Sequence, residues 1–166
     1  VPVKVCGMHA GVSVGPDGAT HQQLEDMALM RIQPNMVVVN PCDAEEARKA
    51  TVAAAQTGKP IYLRFAREKT PVMTTAESPF EIGKANVLVD NHEQLDVMIV
   101  ASGPLVYNAI LAAKELENLG VNVAVVNNHT IKPLDQDTLL GVADRAGAVV
   151  TVEEHHVRGG MGSAMV

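Results

Sequence analysis

Aromatic residues are scarce: the 166-residue chain has two Tyr, two Phe and no Trp. A core must be built from Val, Ile, Leu, Met and Ala, and no stacking platform for single-stranded nucleic acid is expected. Runs of Lys or Arg are missing. Thirteen basic side chains stand against 19 acidic ones, for a formal net charge of −6. That balance, with no Lys/Arg run, disfavours a nucleic-acid-binding role, since phosphate backbones require a basic stripe. The two cysteines, Cys6 and Cys42, are too few for a disulfide framework and lack metal-site spacing. They read as free thiols in a reducing cytoplasm. No apolar run reaches the roughly 20 residues needed to span a bilayer. The opening Val1-Pro2-Val3-Lys4-Val5 has neither a secretory pattern nor an initiator Met. HExxH, CxxC, GxSxG and EF-hand patterns are absent, so metal ligands from this chain are not expected.

What is present is an apolar fraction of 47%, arranged as short runs alternating with helical patterns. Strands are expected at 3–8, 36–39, 61–65, 84–89, 97–101, 121–126 and 148–152. Helices are expected at 22–32, 44–56, 105–119 and 134–145, with a further one beginning at 159. Asp43, with Glu46 three residues on, makes a box-like N-cap. Gly58, Gly120 and Gly147 stand where helices should stop. Residues 67–83 carry two prolines and no period, and read as an ordered linker with a domain boundary near its end. The alternation predicts an α/β fold with parallel sheets and crossover helices. The near-continuous strands MVVV, VMIV, VAVV and AVV predict sheets covered on both faces.

Ligands in such sheets sit beyond the carboxyl ends of strands. His9, Asp17 and His21 fall in the loop leaving the first strand, among Gly7, Gly11, Gly15 and Gly18. His21 is also expected at the start of the next helix, where the dipole favours an anion. The segment reads either as a site on a tightly folded loop, or as glycine turns with Asp17 capping one of them and histidines on the surface. Arg64 and Arg67 follow the third strand. They are placed to grip a phosphate or carboxylate by paired hydrogen bonds, or else to pair in solvent with Glu68 or Glu77. Gly103-Pro104 has no phosphate-loop lysine, and Gly159-Gly160-Met161-Gly162 is explained by close packing. The adjacent His155 and His156 are a poor chelating pair, and His92 and His129 read as structural or solvent-facing.

Gly15-Pro16-Asp17-Gly18-Ala19-Thr20-His21-Gln22 resembles the DGATHQ/DGPTHQ segment of the transketolase family. Met8-His9 sits where that family has a histidine just after a strand, and Leu24-Glu25, Arg31 and Pro34-Asn35 follow the same line. Arg67-Glu68-Lys69-Thr70-Pro71 resembles the family's Arg with a Pro a few residues later. Thr130-Ile131-Lys132-Pro133-Leu134-Asp135 is similar to its TIKPLD stretch. Val152-Glu153-Glu154-His155 with Gly159-Gly160-Met161-Gly162-Ser163-Ala164 resembles VEEH…GGLGSA. These segments span nearly the whole chain in family order, closest in style to the C-terminal subunits of split, two-chain transketolases.

The resemblance implies the second half of a thiamine-diphosphate-fold pyrimidine domain with its linker over 1–83. A truncated transketolase C-terminal-like α/β domain follows over 84–166. It implies transfer of a two-carbon ketol unit between sugar phosphates in the pentose phosphate pathway. Thiamine diphosphate supplies the carbanion and electron sink, and magnesium is its metal; both are held mainly by residues outside this chain. By the same resemblance, His9 and Arg67 bind the sugar phosphate and Asp17 hydrogen-bonds substrate hydroxyls. His21 lies beside the reacting donor carbons and cofactor, where it hydrogen-bonds donor oxygens or assists proton transfer, and its expected helix-start position favours the neutral imidazole. The implied partner is a thiamine-binding N-terminal subunit or domain, in a homodimer or heterotetramer in the cytoplasm, with the isolated piece inactive. Two alternatives stand. Deoxyxylulose-phosphate synthase shares DGATHQ and KPLD, but PRG is expected there where this chain has Ala66-Arg67-Glu68. The other is a structural module for dimer contacts that binds no cofactor.

Overall fold

The computed structural model describes residues 1–166. Its elements run β1 (Lys4–Gly7), α1 (Asp26–Arg31), β2 (Val37–Val39), α2 (Ala44–Gln56), β3 (Ile61–Arg64), β4 (Asn86–Asp90), β5 (Leu95–Ala101), α3 (Leu105–Asn118), β6 (Val123–Asn127), β7 (Thr130–Lys132), α4 (Gln136–Ala143) and β8 (Ala146–Val152). Two four-stranded sheets result, in the orders β1-β3-β2-β7 and β4-β6-β5-β8. Pairing is parallel except where β7 joins β2 and β4 joins β6. No helix is long and apolar enough to cross a membrane.

Valine-rich strands form the buried layers because branched side chains suit a pleated, covered surface. Val37, Val39, Ile61 and Leu63 pack on Ala50 and Ala54 of α2. Ile99, Ala101, Val123 and Val125 pack on Val106, Ala109 and Ala113 of α3. Alanine on each helix lets it lie close to its sheet. A third cluster takes Met27, Val38, Tyr62 and Ile131 from the first sheet's side and Met98, Val100, Val126 and Met161 from the second. The two sheets therefore share a core. At about 1.5–3 kcal/mol for each fully buried large aliphatic side chain, this cluster is a major part of what joins them.

Several expectations need correction. The helix expected over 22–32 is only α1, because Gln23 gives its carbonyl to the Gly11 N–H (3.0 Å) and Arg64 (3.3 Å) instead of starting a helix. Strand β7 is not among the expected strands, because Thr130-Ile131-Lys132 has one apolar residue and no run; its Lys132 donates to the carbonyls of Arg31 and Gln33 at the end of α1. Gly147 lies inside β8 rather than ending α4; a Cβ there would come within 3.2 Å of the Asp96 carbonyl oxygen. Helix α2 ends at Thr57 in extended geometry, without a left-handed Gly58. Strand β8 is an edge strand, so Val149 and Val150 of the expected covered run stay exposed. Beyond residue 159 only a short 3-10 turn, Gly162–Ala164, forms.

Candidate functional site

The loop after β1 is fastened backbone to backbone. The Phe65 N–H donates to the Gly7 carbonyl (2.8 Å), Ala10 N–H to Phe65 (3.1 Å), and Gly11 N–H to Gln23 (3.0 Å). These bonds lay the His9–Ala10 peptide beside the chain leaving β3, where Arg67 stands. Two short 3-10 turns over Val12–Asp17, meeting at a kink at Gly15 (φ +63°), then carry the loop around fully buried Val14. Arg67 closes it: Nη1 donates to the Val14 carbonyl (2.7 Å) and lies 3.2 Å from the Asp17 carboxylate. The Nε and Nη2 nitrogens of Arg67 have no protein partner, which leaves one edge of the fork open to an anion.

Of the four expected site residues, Asp17 and Arg67 are thus in direct contact, though far apart in sequence. His9 is exposed and is the one non-glycine residue with positive φ, +60°. That backbone region costs a bulky residue about 1–3 kcal/mol, and it is met most often at working positions. His21 is exposed, and its Nδ1 lies 2.9 Å from Thr20 Oγ1. It does not start a helix: α1 begins at Asp26, so no helix dipole acts on this imidazole. Arg64 is not a second anion grip. It is 2% exposed, its Nε and Nη2 donate to Asp26 (2.8 and 3.2 Å), and Nη2 also donates to the Glu154 carbonyl (2.8 Å). Tyr62 donates its hydroxyl to the same Asp26 (2.7 Å), and burial with that neighbour pushes the phenol pKa up. Arg64 is therefore structural, paired with an acid on α1 and not with Glu68 or Glu77. His129 is fully buried and stacks on Phe80 at 4.4 Å. His92 stays part-exposed, 3.8 Å from Glu117.

The segment after β8 holds the loop from the other side. Glu154 Oε2 accepts from Ser13 Oγ (2.9 Å). His155 Nε2 accepts the Ala28 N–H (3.3 Å) while its Nδ1 faces the His156 carbonyl (2.9 Å), which together require the neutral Nδ1–H tautomer. The His156 N–H donates to the Leu24 carbonyl (3.0 Å). Glu153 takes the Met161 and Gly162 N–H groups (2.6 and 2.8 Å), and Arg31 donates to the carbonyls of Gly159 and Gly160. Sequence reasoning missed both Ser13 and Glu154 as site residues. The Val-Glu-Glu-His motif was visible, but nothing in its spacing says what the second carboxylate touches.

Two family models cover the chain: the transketolase pyrimidine binding domain matches residues 1–73, and the transketolase C-terminal domain matches residues 83–166. The chain belongs to the transketolase family. A protein of Methanocaldococcus jannaschii named as a transketolase C-terminal section is 39% identical over 165 residues, covering 98% of this chain and 50% of that protein. One subunit of the apulose-4-phosphate transketolase of Phocaeicola vulgatus is 38% identical over 165 residues, covering 99% of this chain and 52% of the relative. Among solved structures, a split-gene transketolase described as an inactive beta4 tetramer superposes with a TM-score of 0.87. It is 42% identical, covering 98% of this chain and 51% of the other. The chain spans about half the length of these relatives.

Transketolases imply a thiamine diphosphate with a divalent metal. No group of three or more His, Cys, Asp or Glu side chains stands together to hold a metal ion. The acids around the loop are already engaged: Asp17 with Arg67, Asp26 with Arg64, and Glu154 with Ser13. This donor set does not fit a metal-bound diphosphate. What the arrangement does offer is a half-open arginine fork, a carboxylate and two exposed imidazoles on one anchored loop system.

Proposed function

We propose that this chain supplies the sugar-phosphate-facing residues of a transketolase, while the thiamine diphosphate and its magnesium are held by another polypeptide or domain. The observation that carries the reading is Arg67, drawn against Asp17 and Val14 with Nε and Nη2 left free. In this reading Arg67 and His9 receive the phosphate, and the free edge of the fork sets its position by parallel hydrogen bonds. Asp17 accepts hydrogen bonds from sugar hydroxyls, which selects their stereochemistry. His21 holds or moves a proton at the donor oxygens; hydrogen-bonded through Nδ1, it presents Nε2 to the substrate. The cofactor, when bound, supplies the electron sink; this chain binds and orients.

The family matches support this reading over a module that only mediates contacts. Residues 1–83 are assigned to the pyrimidine-binding half and 84–166 to the C-terminal-like half. The expected partner is an N-terminal thiamine-binding subunit, in a dimer of such pairs, in the cytoplasm and serving pentose phosphate exchange. The test is substitution in the assembled enzyme. Asp17→Ala and Arg67→Ala should each lower kcat/KM for ketol transfer by about a hundredfold, as loss of a positioned charged contact does. Unchanged transfer in both variants would remove these residues from the site.

A further inference from the structure

The loop bearing His9 and Asp17 is anchored from both halves of the chain. From the first half come Phe65 and Gln23 on the backbone, Gln22 on the Val12 carbonyl and Arg67 on the Val14 carbonyl. From the second half comes the side chain of Glu154, which enters from the end of β8 in the second sheet. Glu154 is 7% exposed and has no Lys, Arg or His partner; its carboxylate is spent on Ser13 Oγ at 2.9 Å. Burying a carboxylate without a cation costs free energy that hydrogen bonding must offset, and the Ser13 hydroxyl supplies that bond. The approach is close. A Cβ on Gly11, where φ is +92°, would fall 2.1 Å from Glu154 Oε2 and 3.1 Å from its Cβ. Only glycine admits the carboxylate there. The backbone of Glu154 is fixed too, since its carbonyl accepts Arg64 Nη2 at 2.8 Å. So a buried ion pair under the loop, Arg64 with Asp26, also sets where the Glu154 carboxylate points.

We infer that Glu154 is a positioning residue for the substrate loop: through its hydrogen bond with Ser13 the second half of the chain fixes His9 and Asp17 in the first half. It touches no substrate. The inference rests on the functional reading above, because it takes His9 and Asp17 to be the groups that meet the sugar phosphate.

The test uses the intact subunit assembled with its thiamine-binding partner, carrying Ser13→Ala, Glu154→Ala, Glu154→Gln or the Ser13→Ala/Glu154→Ala pair. Wild-type ketol transfer is measured first, then KM and kcat separately, then amide hydrogen exchange across residues 10–18. Ser13→Ala and Glu154→Ala should each raise KM for the aldose phosphate by about tenfold, and the double variant should be no worse than either single one. Glu154→Gln, whose amide oxygen accepts the same bond, should stay within about twofold of wild type. Exchange over the loop should quicken in the two alanine variants. A merely structural role would lower the active fraction, and so kcat, with KM unmoved. That result, an additive double variant, or Glu154→Gln behaving like Glu154→Ala would each overturn the inference while leaving the site assignment standing. If Glu154→Ala does not fold, Ser13→Ala and Glu154→Gln carry the same test. Absence of ketol transfer in the wild type would instead overturn the functional reading, and this inference with it.

Discussion

Arg64 and Arg67 leave the same strand and do opposite work. Arg64 is shut in with Asp26, while Arg67 is about a third exposed, with part of its fork free. Replacing Asp26 with Asn strands a buried guanidinium. It should cost about 3–5 kcal/mol, read as a fall in the urea midpoint. Arg67→Ala should cost less, about 1–3 kcal/mol by the same measurement, because its ion pair with Asp17 is part-solvated and the main loss is the donor to the Val14 carbonyl. His129 gives a residue-scale pH signature. Burial lowers its pKa from 6.5 to about 4. Between those values the unfolded chain binds the proton more tightly, so this contribution is whole above pH 6.5 and fades as pH falls toward 4. Burial raises the Glu46 carboxyl, against hydrogen bonds from Cys42 and Asn127, and its ionisation acts in the opposite sense. The difference between wild type and His129→Phe isolates the histidine. Thermal unfolding across pH 6.5 to 4 should fall more steeply in the wild type, by up to about 3 kcal/mol of stability.

At the scale of elements, helix α2 shows how a cap organises chain far beyond itself. Asp43 accepts the Glu46 N–H (2.9 Å) as expected of an N-cap, and also the Met73 and Thr74 N–H groups and the Thr74 hydroxyl (2.8, 2.7 and 2.7 Å). Burial pushes its carboxyl up, and these donors outweigh it and hold it below the usual carboxylate range. The aperiodic stretch after β3 is therefore tied to a helix end. Asp43→Ala should cost about 3 kcal/mol and admit proteases near residues 70–76, visible as faster limited proteolysis at that segment. The cap was legible because Asp-x-x-Glu is a local signal. So were β2, β3, β5 and β6, as short apolar runs, and α2 and α3, as helical periods. What escaped notice depends on contacts distant in sequence: β7, with Ile131 as its one apolar residue; the shortened α1, whose lead-in residues serve the loop; and the Asp26–Arg64 pair. The candidate site was legible by resemblance and by its place after parallel strands. The buried status of Arg64 was not, because nothing adjacent to it announces Asp26.

At the scale of the whole molecule the two sheets are interlocked. Strand β7 comes from beyond the linker and pairs with β2, and the stretch from Glu153 to Gly160 is bonded to residues 13–31. The shared core of Met27, Val38, Met98, Val126 and Met161 seals the junction. The loop proposed to face the substrate is thus held by both halves, which makes its geometry a property of the full chain and not of one sheet. Under the proposed function, this loop serves ketol transfer between sugar phosphates. The most direct test mixes the subunit with the thiamine-binding partner proposed for it, thiamine diphosphate and magnesium. Two substrate pairs are then assayed side by side: xylulose 5-phosphate with ribose 5-phosphate, and pyruvate with glyceraldehyde 3-phosphate. Sedoheptulose phosphate from the first pair alone is the predicted result; product from the second pair alone would contradict it.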